Sequence, residues 1–253
     1  MDAASYVSVC IGLALELCLV WRLSRLGMWR IYAYFFLYVL WVVLRTVVLP
    51  SIAFLSPTRF QSVFWTEEAL CLPLNFLVVW EIFRQTFPKD SSLSRVASKG
   101  FILAGFALAV FLVDAFWGFK TYAVFNSVYL ALERSFGFAV AVLTLGFLLV
   151  ARYYGVPLGR NVRGMAVGFG IWASILTANN AIHDLDHSFV TFWRVVSPLS
   201  SMTMLGIWIW AVWSYAPNPV LEAVDAAAVE SDLNTWTENW DQTVSSARRS
   251  IHP

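Results

Sequence analysis

The densest chemistry in this chain is the string His183-Asp184-Leu185-Asp186-His187. Two histidines four residues apart share one face of a helix, and that spacing lets both imidazoles reach a single metal ion. Asp184 would complete a metal set of His183, Asp184 and His187, with Asp186, Glu67 or Glu133 as further ligands. The remaining histidine, His252, stands near the C-terminus. The string also falls where an apolar run ends, and polar residues belong there without any metal. A divalent cation is therefore one expectation, and no other cofactor is implied.

A second constellation is longer and more spread out. Glu67, Cys71 and Asn75 step by four along one helical face, and Asn179, His183 and His187 do the same further on, with Asn180 and Asp184 on the adjacent face. Arg45, Glu68, Asp114, Glu133 and Arg134 belong to the same half of their runs. Ionisable groups inside a membrane are expensive and turn toward the protein interior or a watery cavity. Two arrangements satisfy that demand. One is an outward-opening polar pocket whose ligand-binding residues are Arg45, Glu67, Asn75, Glu133, Arg134, Asn179, His183 and Asp184. The other is a self-satisfied network of arginine–carboxylate pairs that fixes helix packing. The inner half holds little beyond Glu16 and the pair Glu81 and Arg84, whose three-residue spacing lets them satisfy each other.

The elements that must position these groups follow from composition. The chain has 253 residues, 59% hydrophobic and 13% charged, about half the roughly 25% charge of soluble domains. Too little charge is available to cover a soluble surface; lipid can cover it instead. Apolar runs of roughly 20 residues suit membrane-crossing helices, and they fall at 3–21, 31–49, 63–83, 101–119, 130–151, 164–182 and 195–215. Backbone groups in hydrocarbon must be satisfied within the segment, which selects helices for runs of this length. The expected fold is an all-α, seven-helix transmembrane bundle over 1–215, followed by an acidic tail over 216–253. The first residues carry no Lys or Arg, unlike the start of a secretory signal, so the first run is expected to be retained.

Cations set the orientation. Arg22, Arg25 and Arg30 follow the first run, Arg84, Lys89, Arg95 and Lys99 the third, and Arg152, Arg160 and Arg163 the fifth. The positive-inside rule makes those loops cytoplasmic, with the N-terminus outside and the C-terminus inside. Tryptophans near run ends, among them Trp21, Trp29, Trp65 and Trp193, fit interfacial belts. Pro73 and Pro198 each remove a backbone donor inside a run. Gly164 and Gly168 form a GxxxG pattern that lets another helix approach closely, most simply a neighbour in the same chain. Cys10, Cys18 and Cys71 form no paired framework and act as small apolar residues.

Beyond Pro217 and Pro219 the chain turns polar, with six acids (Glu222, Asp225, Glu230, Asp232, Glu238 and Asp241) against Arg248 and Arg249. Leu233, Trp236, Trp240 and Val244 recur at three- and four-residue steps and make one face of an amphipathic helix. Its acidity disfavours an anionic lipid surface, so it is expected to dock on another membrane or cytoplasmic protein. A net charge of +1 offers no basic face for nucleic acid.

No phosphate-binding glycine loop and no HExxH string occurs, and the last run has no lysine to hold a retinal. The HxxxH string resembles membrane hydrolases of the progestin-receptor and alkaline-ceramidase type, which use three histidines with a serine and an aspartate; here the third histidine falls in the tail. More broadly, residues 1–215, with short loops and the Gly159-Arg160-Asn161 turn before a glycine-bearing run, resemble uncharacterised bacterial seven-transmembrane proteins. They also resemble the seven-helix sensory region found before histidine-kinase domains. The expected function is a non-enzymatic sensor or receptor-like protein that binds a small ligand or ion in the outer polar pocket and signals to a separate partner. The short loops and absence of an N-x-[ST] sequon point to a bacterial inner membrane. An accessory or structural subunit of a larger membrane complex is the alternative, and a metal-dependent membrane hydrolase or ion transporter a second.

Overall fold

A computed structural model describes residues 3–86, 122–153, 156–185 and 190–219, with the isolated tail positions 231, 234, 235, 238 and 242. Six long helices occur in that set: α1 (Ala3–Arg25), α2 (Ala33–Leu55), α3 (Pro57–Thr86), α4 (Tyr122–Tyr153), α5 (Arg160–Leu185) and α6 (Val190–Val212). No strand occurs among the described residues. The expected helix over 101–119 lies outside them. Three segments, Val7–Arg25, Ala33–Leu55 and Val195–Val212, are long and apolar enough to cross a membrane. This marks the chain as a membrane protein. Within α4, Gly137–Tyr153 is a shorter apolar stretch, and much of the charge in α3 turns inward or caps a neighbour.

Helix bounds differ from the apolar runs in instructive ways. The second run stops at Pro50, yet α2 continues through it to Leu55. A proline within a long membrane helix loses one hydrogen bond without ending the helix. Pro73 and Pro198 likewise lie inside α3 and α6. Between α1 and α2 the chain turns on Gly27, whose φ of 64° is left-handed, a conformation glycine adopts without steric cost.

The helices close into a ring in chain order, each packing on the next and α6 returning to α1, while α3 also touches α5. Residues Phe76–Phe83 of α3 lie beside Val140–Ala151 of α4 in the same sequence direction. These two helices therefore run parallel and finish at the same face. That face also holds the ends of α1 and α6 and the starts of α2 and α5, joined by Arg22 to Trp213, Gln85 to Ile31 and Gly159 to Asn218. It carries Arg22, Arg25, Arg30, Arg84, Arg152 and Arg160 and is here termed the arginine face.

The ring is filled differently along its length. Toward the arginine face an aromatic plug packs Phe35 and Tyr38 of α2, Phe169 of α5 and Trp208 of α6, with centroid separations from 4.9 to 5.9 Å. Edge-to-face and tilted contacts of this kind add to the burial of large rings. The glycine pattern belongs to this plug. A methyl group at Gly164 would strike Ala211, and one at Gly168 would strike the Trp208 indole, so GxxxG seats α5 on α6 of the same chain. The outward surface is apolar instead, with Leu17, Leu44, Phe54, Leu143, Leu149 and Leu199 exposed, while Glu16, Glu67, Asn75, Glu81 and Asn161 are buried. Polar inside and apolar outside is the distribution a bilayer demands.

Candidate functional site

Beyond the aromatic plug, all six described helices line a cavity of about 370 Å³, toward the small end of the roughly 300–1,000 Å³ usual for ligand pockets. Its polar wall comes from Glu16 on α1, Arg45 and Thr46 on α2, Glu68 and Asn75 on α3, and Ser197 and Ser201 on α6. The remaining wall is apolar and aromatic, including Tyr38, Leu72, Val140, Trp172 and Leu205.

Arg45 organises the carboxylates. Its guanidinium pairs with Glu68 and approaches Glu67 at 3.8 Å. The two acids are sequence neighbours, so one arginine on the facing helix spans both, as a planar multi-donor group can. On the adjacent residue, the Thr46 hydroxyl donates to Glu16 Oε1 at 3.1 Å. Here the satisfaction stops. Glu16 Oε2, Glu67 Oε2 and Asn75 Oδ1 are buried and accept no hydrogen bond, although Glu16 and Asn75 are only 5% and 4% exposed. Leaving a polar atom dry and unpaired costs roughly 1–3 kcal/mol, more when charged. The Ser201 hydroxyl donates to its own helix at Ser197 O, 3.2 Å away, which keeps its oxygen free to accept.

The structure thus brings Arg45, Glu67 and Asn75 of the expected set together. Asn179 is half-buried on α5 and does not line this cavity. Glu133 and Arg134 lie on α4, and His183 and Asp184 on α5; their side chains are outside the described set, as is all of His187. The tail residues Leu233, Trp236, Trp240 and Val244 are outside it too. Helical backbone is described at Ser231, Asn234, Thr235, Glu238 and Gln242, all exposed and spaced as one face. Among the described residues no group of three or more His, Cys, Asp or Glu is gathered to hold a metal ion.

Glu16 corrects the sequence reading. Expected in the inner half, it instead reaches Thr46 and shares a cavity with Arg45. Position 16 is mid-span in Val7–Arg25, and a lone acid at mid-span was the signal available. Glu68, Ser197 and Ser201 are further members that spacing alone did not single out.

Glu81 also departs from expectation. Its carboxylate accepts from Tyr34 N at 3.2 Å and Phe35 N at 2.8 Å. Tyr32, which precedes α2, supplies no side-chain cap, so an acid from α3 caps α2 and meets the positive end of its dipole. Arg84 is exposed and forms no ion pair with it. Close by, burial pushes the Tyr32 hydroxyl above the ordinary phenol range, with Tyr215 and Glu81 acting in the same direction.

The same face ties off the end of α6. Asn161 Nδ2 donates to Ala211 O at 2.6 Å and Ser214 O at 3.1 Å, and its Oδ1 accepts from Ala216 N at 2.7 Å. Arg22 Nε donates to Trp213 O at 2.8 Å, and Arg160 to Ser214 O at 2.8 Å. Asn218 then accepts from Gly159 N and donates to Gln85 O. Two arginines at a helix C-terminus oppose its negative pole. Arg22 also stacks over Trp213 at 4.6 Å, and Arg30 over Trp29 at 4.9 Å.

Compared with protein-family models, curated proteins and solved structures, the chain matches none.

Proposed function

We propose that this chain is a non-enzymatic, receptor-like membrane protein that binds a small ligand in the cavity enclosed by its helix ring and passes the signal to a separate protein through its tail. One observation carries the proposal: buried Glu16 Oε2 and Asn75 Oδ1 have no partner beside an interior space large enough for a molecule. A purely structural arginine–carboxylate network would have no reason to leave those acceptors unpaired, because an apolar residue of similar size would cost less.

Transmission has a physical route. A ligand touching α6 through Ser197 and Ser201 acts on a helix whose last turn is tied to α1 and α5 and continues into the Asn218 strap. The tail leaves from that strap. Seven crossings are supported by the parallel course of α3 and α4, since the chain must regain the far face between them. By the positive-inside rule the arginine face is cytoplasmic and the N-terminus external, in a bacterial inner membrane. The GxxxG pattern is occupied by α6 and so offers no docking face to a further subunit.

Native mass spectrometry after gentle extraction tests the function. The expected result is the chain carrying a small molecule that Asn75→Leu abolishes. An empty chain that retains other polypeptides would overturn it in favour of the subunit reading.

A further inference from the structure

The groups around the cavity are unbalanced in charge and in hydrogen-bonding type. Among the described residues, three carboxylates (Glu16, Glu67 and Glu68) face one guanidinium, Arg45. Arg45 is already committed to Glu67 and Glu68, so among the described residues an anion would find no free cation there. Both unpaired atoms on residues that line the space, Glu16 Oε2 and Asn75 Oδ1, are acceptors. Whatever fills the cavity must bring donors, and the surplus of carboxylates favours positive charge.

We propose that the cavity takes a small primary amine in its protonated form, with Glu16 as counter-ion, Asn75 as second acceptor and a short apolar body lying against Leu72, Trp172 and Leu205. The assignment rests on the reading of the cavity as a ligand site. A protonated primary amine carries three N–H donors; two match the unpaired acceptors, and the third can reach a serine oxygen on α6. A bare metal ion fits poorly. Hard cations take about six or more oxygen ligands, whereas most of this wall is apolar and its volume of about 370 Å³ far exceeds an ion. The aromatic rings of Tyr38 and Trp172 in the same wall favour an organic cation further.

The test uses the full chain in lipid nanodiscs with three probes: isoamylamine, isoamyl alcohol (the same body with a neutral head) and sodium chloride. Binding is read by calorimetry and by the shift in melting temperature. Isoamylamine is expected to stabilise saturably, and the alcohol to bind at least about tenfold more weakly, the loss of one charge-assisted hydrogen bond. Glu16→Gln should weaken the amine by a similar factor while keeping a partner for Thr46. Equal binding of amine and alcohol, or an unchanged affinity in Glu16→Gln, would overturn the amine and leave a neutral-ligand site. Saturable stabilisation by sodium alone would replace it with an inorganic cation. A neutral or anionic molecule retained through extraction would also overturn it. No saturable response to any probe, with an empty native mass spectrum, would bring down the ligand site itself.

Discussion

The two halves of the helix ring solve opposite problems with similar residues. Near the arginine face, Glu81, Asn161, Asn218 and Gln85 reach backbone groups on other helices, and Trp208 fills the space between α2 and α5. Arg160 Nε is the exception there, buried without a partner. In the cavity half, Glu16, Glu67 and Asn75 are equally buried, yet each leaves an acceptor without a protein partner and the helices enclose a cavity. Satisfied polar groups with dense packing define one arrangement of the bundle, whereas acceptors without a protein partner beside a cavity are open to a donor from outside the chain. On the proposed reading, stability and ligand binding are separated along the axis of the ring.

The comparison is most easily broken at the plug. Trp208→Ala removes the largest fully buried side chain, its packing on three ring neighbours and the donor to Met165 O at 3.3 Å. A loss of about 3–5 kcal/mol is expected for truncating a large buried aromatic, seen as a collapse of the melting temperature in nanodiscs. A change below about 1 kcal/mol would mean the plug is not what holds the ring. Asn161→Ala comes next. It deletes two donated bonds and one accepted bond, about 2–4 kcal/mol together, and should increase proteolysis at the start of the tail. Gly168→Ala is expected to cost about 1–3 kcal/mol, because the added methyl meets the Trp208 indole; in a Trp208→Leu background most of that penalty should vanish, which a double-mutant cycle would detect.

Much of this architecture was legible in the residues, for reasons that also explain the gaps. Length and apolarity are local properties, so α1, α2 and α6 follow from their runs, and the GxxxG of 164–168 correctly points to a neighbour in the same chain. Four-residue steps placed Glu67, Cys71 and Asn75 on one face, and they line or adjoin the cavity. Capping across helices is not local. Glu81 reaches Phe35 from 46 residues away, and its nearer neighbour Arg84 was the only partner periodicity could offer. Glu16 meets Thr46 from 30 residues away on another helix, a pairing that no period within α1 specifies. The Asn161 and Asn218 links depend on how α6 meets α5, a tertiary relation with no sequence period.

The smallest expected effect has the opposite sign. Asn75 is 4% exposed with Oδ1 unpaired, so Asn75→Leu trades a dry amide for a side chain of similar size that suits the neighbouring Leu72 and Leu205. Removing an unsatisfied buried polar group should raise stability, here by about 1 kcal/mol, and the same change should abolish stabilisation by isoamylamine. Functional residues often carry such a stability cost, and replacing them reveals it. A lower melting temperature for Asn75→Leu would instead make the amide a packing element, and the contrast between the two halves of the ring would then rest on Glu16 and Glu67.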